Sequence, residues 1–442
     1  MEYFLGSQAM RKKIKVFIYL PVMLLTLATT IAGCAPHRKT STMMPAPVIY
    51  NGAAIDPFAH LRQEQKTTDT EVFYATNRRH EERDNGQPYS NAVDNRLHLG
   101  IATVQMGDQN TQWQDLYDYS LSDPRIKTMP IQLGSTTEMA SMATDAFLVE
   151  DKLTPDVQQF VDAINQRIAA ATDKEILLYV HGTKVDFANS AILTGEIVHF
   201  AGRDFVGVGF AWPSHQNILA YLTGEDVKRA LDSSTALQNL LILLAEHTAA
   251  KHINILSYSA GGRVASKALF DLRNNFTALK PQQLQQKFRL GAVMFAAADV
   301  PVNIFLERIP AISSLANQVV ITVTDDDNAL IAARKYMGGA VRAGSQQAEI
   351  IEEQYILRKH LSNVEIIDVS LGQQVRGFDI SGHHYWYRHP WMSSDIVFLM
   401  RTNLPPAARG LTKSQLEDIW YLSADYPEMI RDAAETALEG QW

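Results

Sequence analysis

The sequence predicts an α/β fold built on a doubly wound, mostly parallel β-sheet. Short apolar runs recur along the chain and alternate with segments that carry apolar residues at three- and four-residue spacing. Strands that are apolar on both faces are typical of a parallel sheet covered by helices on each side. The runs that predict central strands are 175–180, 205–212, 253–258, 290–298, 318–324 and 364–370.

The segments around this alternating core are less regular. Two earlier strands, at 71–78 and 96–106, are separated by a polar loop and are expected to form an antiparallel amino-terminal edge of the sheet. The stretch 108–150 shows no clear period, whereas 329–362 and 412–442 read as helical additions. The sequence therefore predicts one globular domain over 58–442, with its core at about 70–400.

The amino terminus has the pattern of a lipoprotein signal. A basic patch from Arg11 to Lys15 precedes an apolar run, which ends in Ile-Ala-Gly immediately before Cys34. This ending matches the bacterial lipobox, and Cys34 is the only cysteine in the chain. We therefore predict a signal peptide at 1–33, lipidation of Cys34 and a flexible tether at 34–57.

An uncleaved membrane span is the alternative interpretation, although the apolar stretch is short for the roughly 20 residues that a span needs. Removing residues 1–33 takes away four positive charges and one negative charge, so the formal charge changes from −8 to −11. A body this acidic is unsuited to binding nucleic acid. The expected location is the cell envelope, on the periplasmic side of the outer membrane, with the lipid on Cys34 as the anchor.

A nucleophile-elbow pattern follows the predicted strand at 253–258. The segment Ser257-Tyr258-Ser259-Ala260-Gly261 leads from this strand into a helix, as a G-x-S-x-G turn does, with Ser257 in place of the first glycine. Such a turn projects the hydroxyl of Ser259 above the sheet. It also places the amide of Ala260 at a helix start, where it can face an oxyanion.

A serine nucleophile needs a base, and in this fold an acid and then a histidine follow the serine in chain order. His383 and His384 both satisfy that order. Asp325–Asp327, after the run 318–324, is the favoured source of the acid, and Asp299 is the alternative one strand earlier.

The second oxyanion donor is expected in the loop after the strand at 175–180. Gly182 and Thr183 stand there, where glycine lets the main chain approach a substrate closely. His181 precedes them and is interpreted as a structural hydrogen-bonding residue rather than a second base.

These residues together resemble a bacterial α/β-hydrolase family of unassigned function, often described as esterase/lipase-like. The resemblance extends over about 70–400 and rests on EVFYATNR, LLYVHGTKVDFANS, GFAWPS, ILSYSAGGRV, FAAADVPVNIF, TDDDNAL and SGHHY. It implies Ser259 as nucleophile, Asp327 as acid and His383 as base. It also implies hydrolysis without naming a substrate.

The leading functional hypothesis is a serine hydrolase that cleaves a carboxylic ester or acyl lipid through an acyl-enzyme. A different class is a catalytically silent lipoprotein that uses the scaffold for binding or envelope assembly. A metal hydrolase using His383, His384 and His389 is a third hypothesis, but their spacing matches no metal signature. We expect neither a metal nor a cofactor.

The lipid anchor predicts that Cys34→Ser releases the protein from membranes, because the acceptor of the lipid is removed. Fractionation of cells that express the wild type and the variant measures this. Retention of the variant in the membrane fraction would instead indicate an uncleaved span.

Overall fold

The core of the structure is a mixed β-sheet of twelve strands, counted over the residues that the structure describes. In chain order the strands are β1 (Thr40–Thr42), β2 (Asp69–His80), β3 (Tyr89–Met106), β4 (Pro130–Ala143), β5 (Glu175–Val180), β6 (Val206–Phe210), β7 (His252–Tyr258), β8 (Leu290–Ala296), β9 (Ala316–Val323), β10 (Val364–Asp368), β11 (Thr412–Lys413) and β12 (Trp420–Tyr421). Across the sheet the order is β1-β4-β3-β2-β6-β5-β7-β8-β9-β10-β12-β11.

The structure is a computed structural model. It describes residues 40–51, 55–81, 87–122, 128–144, 153–324, 327, 330–331, 337, 340–345, 361–370, 383–414 and 419–438. The predicted signal segment 1–33 and lipidation site Cys34 lie outside these residues. The chain divides into two units, Met1–Arg38 and Lys39–Trp442, and the twelve-stranded sheet belongs to the second unit.

The middle of the sheet is parallel. Strands β2, β6, β5, β7, β8, β9 and β10 each pair in parallel with the next in that order. All six residues of β5 and all seven of β8 are buried, as expected for strands covered on both faces. The predicted fold class, a mostly parallel doubly wound sheet, is confirmed.

The amino-terminal edge is antiparallel, also as predicted. Strand β2 pairs with β3, and β3 pairs with β4, both antiparallel. Strand β4 and a short helix, Trp113–Leu121, occupy the stretch 108–150 in which the sequence shows no period. Half of the residues of β4 are intermediate in exposure, so buried and exposed positions do not alternate along the strand. The sequence of β4 therefore lacks the two-residue period that identifies a half-buried strand.

Helices cover both faces of the sheet. Within the described ranges, the helices in chain order are α1 (Trp113–Leu121), α2 (Pro155–Ala170), α3 (Phe187–Phe200), α4 (Ile218–Leu222), α5 (Glu225–Asp232), α6 (Ser234–His247), α7 (Gly261–Asn275), α8 (Pro281–Phe288), α9 (Val302–Leu315), α10 (Tyr385–Arg388), α11 (Pro390–Thr402) and α12 (Tyr426–Leu438). Among the described residues, no helix combines the length and apolar character needed to cross a bilayer.

The predicted tether over 34–57 is wrong for residues 40–50, which pack into the fold. Strand β1 pairs antiparallel with β4, with Thr40 opposite Gln132. The amide of Met44 then donates to Glu196 Oε1 on α3 at 2.7 Å. Burial raises the pKa of Glu196 to about 8, which favours the protonated form of this carboxyl group.

Apolar side chains explain why this segment belongs to the fold. Met43, Met44, Ile49 and Tyr50 are all buried in the cluster that lines one face of the sheet. The amide of Ile49 donates to Ser394 Oγ on α11 at 3.1 Å. The prolines between these side chains and the threonines before them gave the sequence a linker-like composition, but burying four large apolar side chains offsets the entropy of ordering the chain.

The carboxyl-terminal tail also packs against the sheet. Strand β12 pairs in parallel with β10, and β11 pairs antiparallel with β12. The indole Nε1 of Trp420 donates to Glu365 Oε2 at 2.7 Å. On α12, Tyr426, Ile430 and Ala434 are buried. The helical addition predicted at 412–442 therefore contains a helix, but two short strands, β11 and β12, precede it.

The packing of the first segment predicts that Ile49→Ala destabilises the protein by about 2–5 kcal/mol, because it leaves a cavity in a fully buried position. Thr42→Ala, at an exposed position in β1, is the matched control and is expected to change the free energy of unfolding by less than about 0.5 kcal/mol. Equilibrium denaturation measures both. Equal, negligible effects would show that the segment is a tether after all.

Candidate active site

Ser259 lies in a strained turn between β7 and α7. Its φ of +52° is in the left-handed region, which is uncommon for a residue with a Cβ and costs free energy. Hydrogen bonds hold the turn in place: Ser259 N donates to Ala296 O at 2.9 Å, and Gly262 N donates to Ser259 O at 3.0 Å. This is the backbone geometry that a nucleophile elbow requires.

The turn fits only because its neighbours are small. A Cβ on Gly261 would lie 2.4 Å from the carbonyl oxygen of Val180 and 2.5 Å from that of His181, at the end of β5. Any side chain at position 261 would therefore push the turn away from the sheet. The loop after β5 also approaches Ser259 closely. A Cβ on Gly182, in this loop, would lie only 3.1 Å from the Cβ of Ser259.

The departure from the usual motif at Ser257 has a structural explanation. Ser257 is fully buried on β7, and its hydroxyl donates to the carbonyl oxygen of Met294 on β8 at 3.0 Å. A buried hydroxyl that is hydrogen-bonded has little desolvation cost. Serine therefore replaces the first glycine without disturbing the turn.

Ser259, His383 and Asp327 form a continuous hydrogen-bonded line. His383 Nε2 lies 2.9 Å from Ser259 Oγ, and His383 Nδ1 lies 2.7 Å from Asp327 Oδ2. An ionised carboxylate can only accept, so Nδ1 carries the proton and the neutral ring accepts the serine proton at Nε2. The three residues that the resemblance implies are thus brought together.

The acid and the histidine are each fixed by backbone contacts. Asp327, which follows β9 and is 1% exposed, accepts a second hydrogen bond at Oδ1 from Leu330 N at 3.0 Å. The hydroxyl of Tyr258 donates to the carbonyl oxygen of His383 at 3.4 Å. Asp325 and Asp326, the other members of the predicted acidic cluster, lie outside the described residues.

Asp299, the alternative acid, is held elsewhere. Its Oδ1 lies 2.8 Å from Arg342 Nε and 3.5 Å from Arg263 Nη2. Burial raises the pKa of Asp299 to about 6, and Arg342 partly opposes that shift. Its backbone amide donates to Ser259 O at 3.1 Å, so Asp299 lies under the nucleophile turn as an ion-pair partner.

The remaining histidines have different neighbours. The ring of His384 packs edge-on against Tyr387, with centroids 5.6 Å apart. His389 Nδ1 accepts a hydrogen bond from Trp391 N at 3.2 Å at the start of α11, and burial lowers the pKa of His389 to about 4. In the described part of the chain, no group of three or more His, Cys, Asp or Glu residues is arranged to hold a metal ion.

The predicted oxyanion donors lie on two sides of Ser259. Ala260 is fully buried and directly precedes α7, so its amide is at the positive end of a helix. Gly182 and Thr183 belong to the loop after β5, where the next residue, Lys184, has a φ of +60°. Ala260 is thus part of the turn, Gly182 lies next to Ser259, and Thr183 follows Gly182 in the same loop.

His181 is a buried residue of this loop. Its ring stacks on Trp212 with centroids 5.3 Å apart and an interplanar angle of 12°. Burial lowers the pKa of His181 to about 3, so the imidazole is neutral, and its Nδ1 donates to Gly182 O at 2.6 Å. These contacts agree with the structural interpretation made from the sequence.

Several residues that hold the loop were not identified from the sequence. Trp212 Nε1 donates to His181 O at 2.7 Å, and Ser214 Oγ donates to Val185 O at 2.8 Å. The guanidinium of Arg78, at the end of β2, also donates to Val185 O at 2.6 Å. The segments EVFYATNR and GFAWPS contain these three side chains, but nothing in either pattern indicates which loop they contact.

Fold and site together define an α/β hydrolase. Residues 157–399, more than half of the chain, match the family described as "Alpha/beta hydrolase of unknown function (DUF900)", and the chain belongs to this family. The match contains Ser259, Asp327 and His383 and begins later than the resemblance expected from about residue 70.

Solved structures are similar to this chain, and one of them matches at low sequence identity. It is a lipase-esterase related protein from Clostridium acetobutylicum, with 10% sequence identity and a TM-score of 0.26 over 53% of this chain and 96% of that chain. A TM-score this low adds nothing to the assignment, which rests on the family match. No curated protein matches the chain.

Substitutions of Asp327 and Asp299 are predicted to affect different properties of the protein. Asp327→Asn should lower kcat by about 10³–10⁴-fold, because an amide no longer fixes the tautomer in which Nδ1 carries the proton. Asp299→Asn should mainly lower stability, by about 3–5 kcal/mol, because the guanidinium of Arg342 is left buried with less compensation. Ester turnover and thermal unfolding of both variants measure this. A larger loss of kcat in Asp299→Asn would reverse the assignment.

Proposed function

We propose that this protein is a serine hydrolase that cleaves a carboxylic ester or an acyl lipid through an acyl-enzyme. The observation that supports it most is the line Ser259–His383–Asp327, which begins at a residue strained into the left-handed region. A serine, a histidine and a carboxylate that serve only packing have no need of this alignment. Strain of this kind is concentrated at functional sites.

The first half of the reaction forms the acyl-enzyme. His383 Nε2 takes the proton of Ser259 as Oγ attacks the acyl carbon, and the carbonyl oxygen becomes an oxyanion. The amides of Ala260 and Thr183 donate to this oxyanion. The imidazolium, stabilised by Asp327, then gives its proton to the departing alcohol oxygen, and the acyl group stays on Ser259.

Water completes the reaction. His383 Nε2 accepts a proton from water, whose oxygen attacks the acyl carbon, and the same proton returns to Ser259 Oγ as the carboxylic acid leaves. One water molecule is consumed for each ester cleaved. His383 is neutral before and after each half, which matches the hydrogen-bonding pattern of its two nitrogens.

The surroundings of the site favour an apolar acyl group. The ring of Tyr258 lies 5.2 Å from that of His383, and Tyr387 packs on Tyr258 with centroids 6.2 Å apart. Aromatic side chains next to a nucleophile favour apolar substrates. The lipobox-like segment before Cys34 supports a place for the enzyme at the cell envelope, where acyl lipids are abundant.

If the serine, histidine and acid side chains were far apart, the structure would favour the alternative hypothesis of a catalytically silent scaffold. Ser259, His383 and Asp327 instead lie within hydrogen-bonding distance of one another. This arrangement supports the hydrolase over the silent scaffold.

A fluorophosphonate probe tests the proposal, because it reacts only with an activated serine. The wild type should be labelled on the peptide that contains Ser259, and Ser259→Ala should not be labelled. Ser257→Ala is the matched control, since it removes a hydroxyl from the strand that leads into the turn and should keep the labelling. An unlabelled wild type, or equal labelling of Ser259→Ala, would disprove the serine nucleophile.

A further inference from the structure

A buried carboxylate lies behind the loop that carries Gly182 and Thr183. Asp226 is in the first turn of α5, and its side chain is fully buried. Thr183 Oγ1 donates to Asp226 Oδ2 at 3.0 Å. His215 donates to the same carboxylate through its backbone amide, at 3.1 Å from each oxygen, and its Nδ1 lies 2.7 Å from Oδ1.

This carboxylate joins three segments that are distant in sequence. Thr183 follows β5, His215 follows β6, and Asp226 begins a helix. A carboxylate buried away from water is costly unless donors surround it. Three donors and the positive end of α5 meet that requirement here, so the cluster is a firm anchor point beside the site.

The hydrogen bond to Asp226 determines which group of Thr183 can face an oxyanion. A hydroxyl has a single proton to donate. Since Thr183 gives that proton to Asp226, its side chain has none left for a substrate, and the backbone amide is the remaining donor. The side chain therefore acts as a tie that fixes the orientation of the peptide between Gly182 and Thr183.

The hydrogen bond from Thr183 to Asp226 acts at the middle of the loop. Trp212 and Ser214 hold its two ends, at the carbonyl oxygens of His181 and Val185. Between these ends, Gly182 contacts Ser259 and Lys184 has a left-handed backbone. Glycine restricts the backbone least of all residues, and Lys184 needs neighbouring contacts to hold its left-handed backbone, so a hydrogen bond from Thr183 to a buried group helps to fix this part of the loop.

We infer that Asp226 is a positioning residue for the oxyanion hole: it holds Thr183 so that the backbone amide at 183 is fixed before the substrate binds. This inference rests on the proposed function. A donor that is already in place needs no reorganisation during the reaction, which is why such donors are worth about 10²–10³-fold in rate. Weakening the hydrogen bond between Thr183 and Asp226 should therefore lower the rate by part of that factor.

Two substitutions weaken or remove this hydrogen bond, one at its donor and the other at its acceptor. Thr183→Val keeps the shape and removes the hydroxyl, and Asp226→Asn weakens the acceptor. Each should lower kcat by about 10–100-fold and change KM by less than about threefold. The double variant should be no slower than the slower single variant, because both remove one interaction.

Two controls separate positioning from general damage. Thr183→Ser keeps the hydroxyl and should retain kcat within about threefold of the wild type. Asp232→Asn makes the same change at an exposed position of α5 and should leave kcat unchanged.

The decisive readout is the affinity for an alkyl trifluoromethyl ketone, whose serine adduct bears an oxyanion. Across these variants its inhibition constant should rise by the same factor by which kcat/KM falls. A loss of folded protein alone would lower the active fraction without changing this constant.

The outcomes distinguish this inference from the proposed function. If the wild type fails to react with a fluorophosphonate, the serine hydrolase itself is wrong. If the wild type reacts but Thr183→Val keeps wild-type kcat and inhibitor affinity, the positioning role is wrong. Additive losses in the double variant would also overturn it. Should Asp226→Asn not fold, comparison of Thr183→Val with Thr183→Ser still decides the matter.

Discussion

The close approach of the nucleophile turn to the end of β5 is the constraint on which the site depends. Gly261 brings α7 against the carbonyl oxygens of Val180 and His181, and Gly182 brings the following loop against Ser259. A Cβ on Gly261 would collide with the backbone of β5, and a Cβ on Gly182 would lie only 3.1 Å from Ser259, so both glycines keep the turn and the loop after β5 close together. The left-handed backbone of Ser259 is the cost of that arrangement, and backbone hydrogen bonds to Ala296 on β8, Gly262 and Asp299 hold it.

The charges around the site have separate tasks. Asp327 aligns His383, Asp226 ties Thr183, and Asp299 pairs with Arg342 beneath the turn. All three carboxyl groups are buried, so each needs its own donors or cation. In the proposed mechanism their roles are separate, because Asp327 acts on the base, Asp226 on the oxyanion loop and Asp299 on the packing of the turn.

The sequence predicted the features that depend on local pattern. The central strands are predominantly apolar, and Ser259, Asp327 and His383 each follow one of them at the carboxyl edge of the sheet, where such residues converge. The fold class was therefore accessible without coordinates, and so was the group of candidate residues. The roles of these residues in catalysis remain predictions.

Features that depend on distant contacts were not accessible. The segment from Thr40 to Tyr50 has the composition of a linker, and only its fit against β4, α3 and α11 shows that it belongs to the fold. Asp226 has the sequence appearance of an ordinary helix-capping acid. Its contact with Thr183 joins residues 43 positions apart, which no local pattern reports.

The central claim is that an acyl group passes through Ser259, and trapping this intermediate tests it most directly. The protein is mixed with a p-nitrophenyl ester, quenched in acid during the first turnovers and digested for mass spectrometry. We expect the mass of the acyl group to be added to the peptide that contains Ser259. Ester cleavage with that peptide unmodified, or with the acyl group on another residue, would contradict the claim.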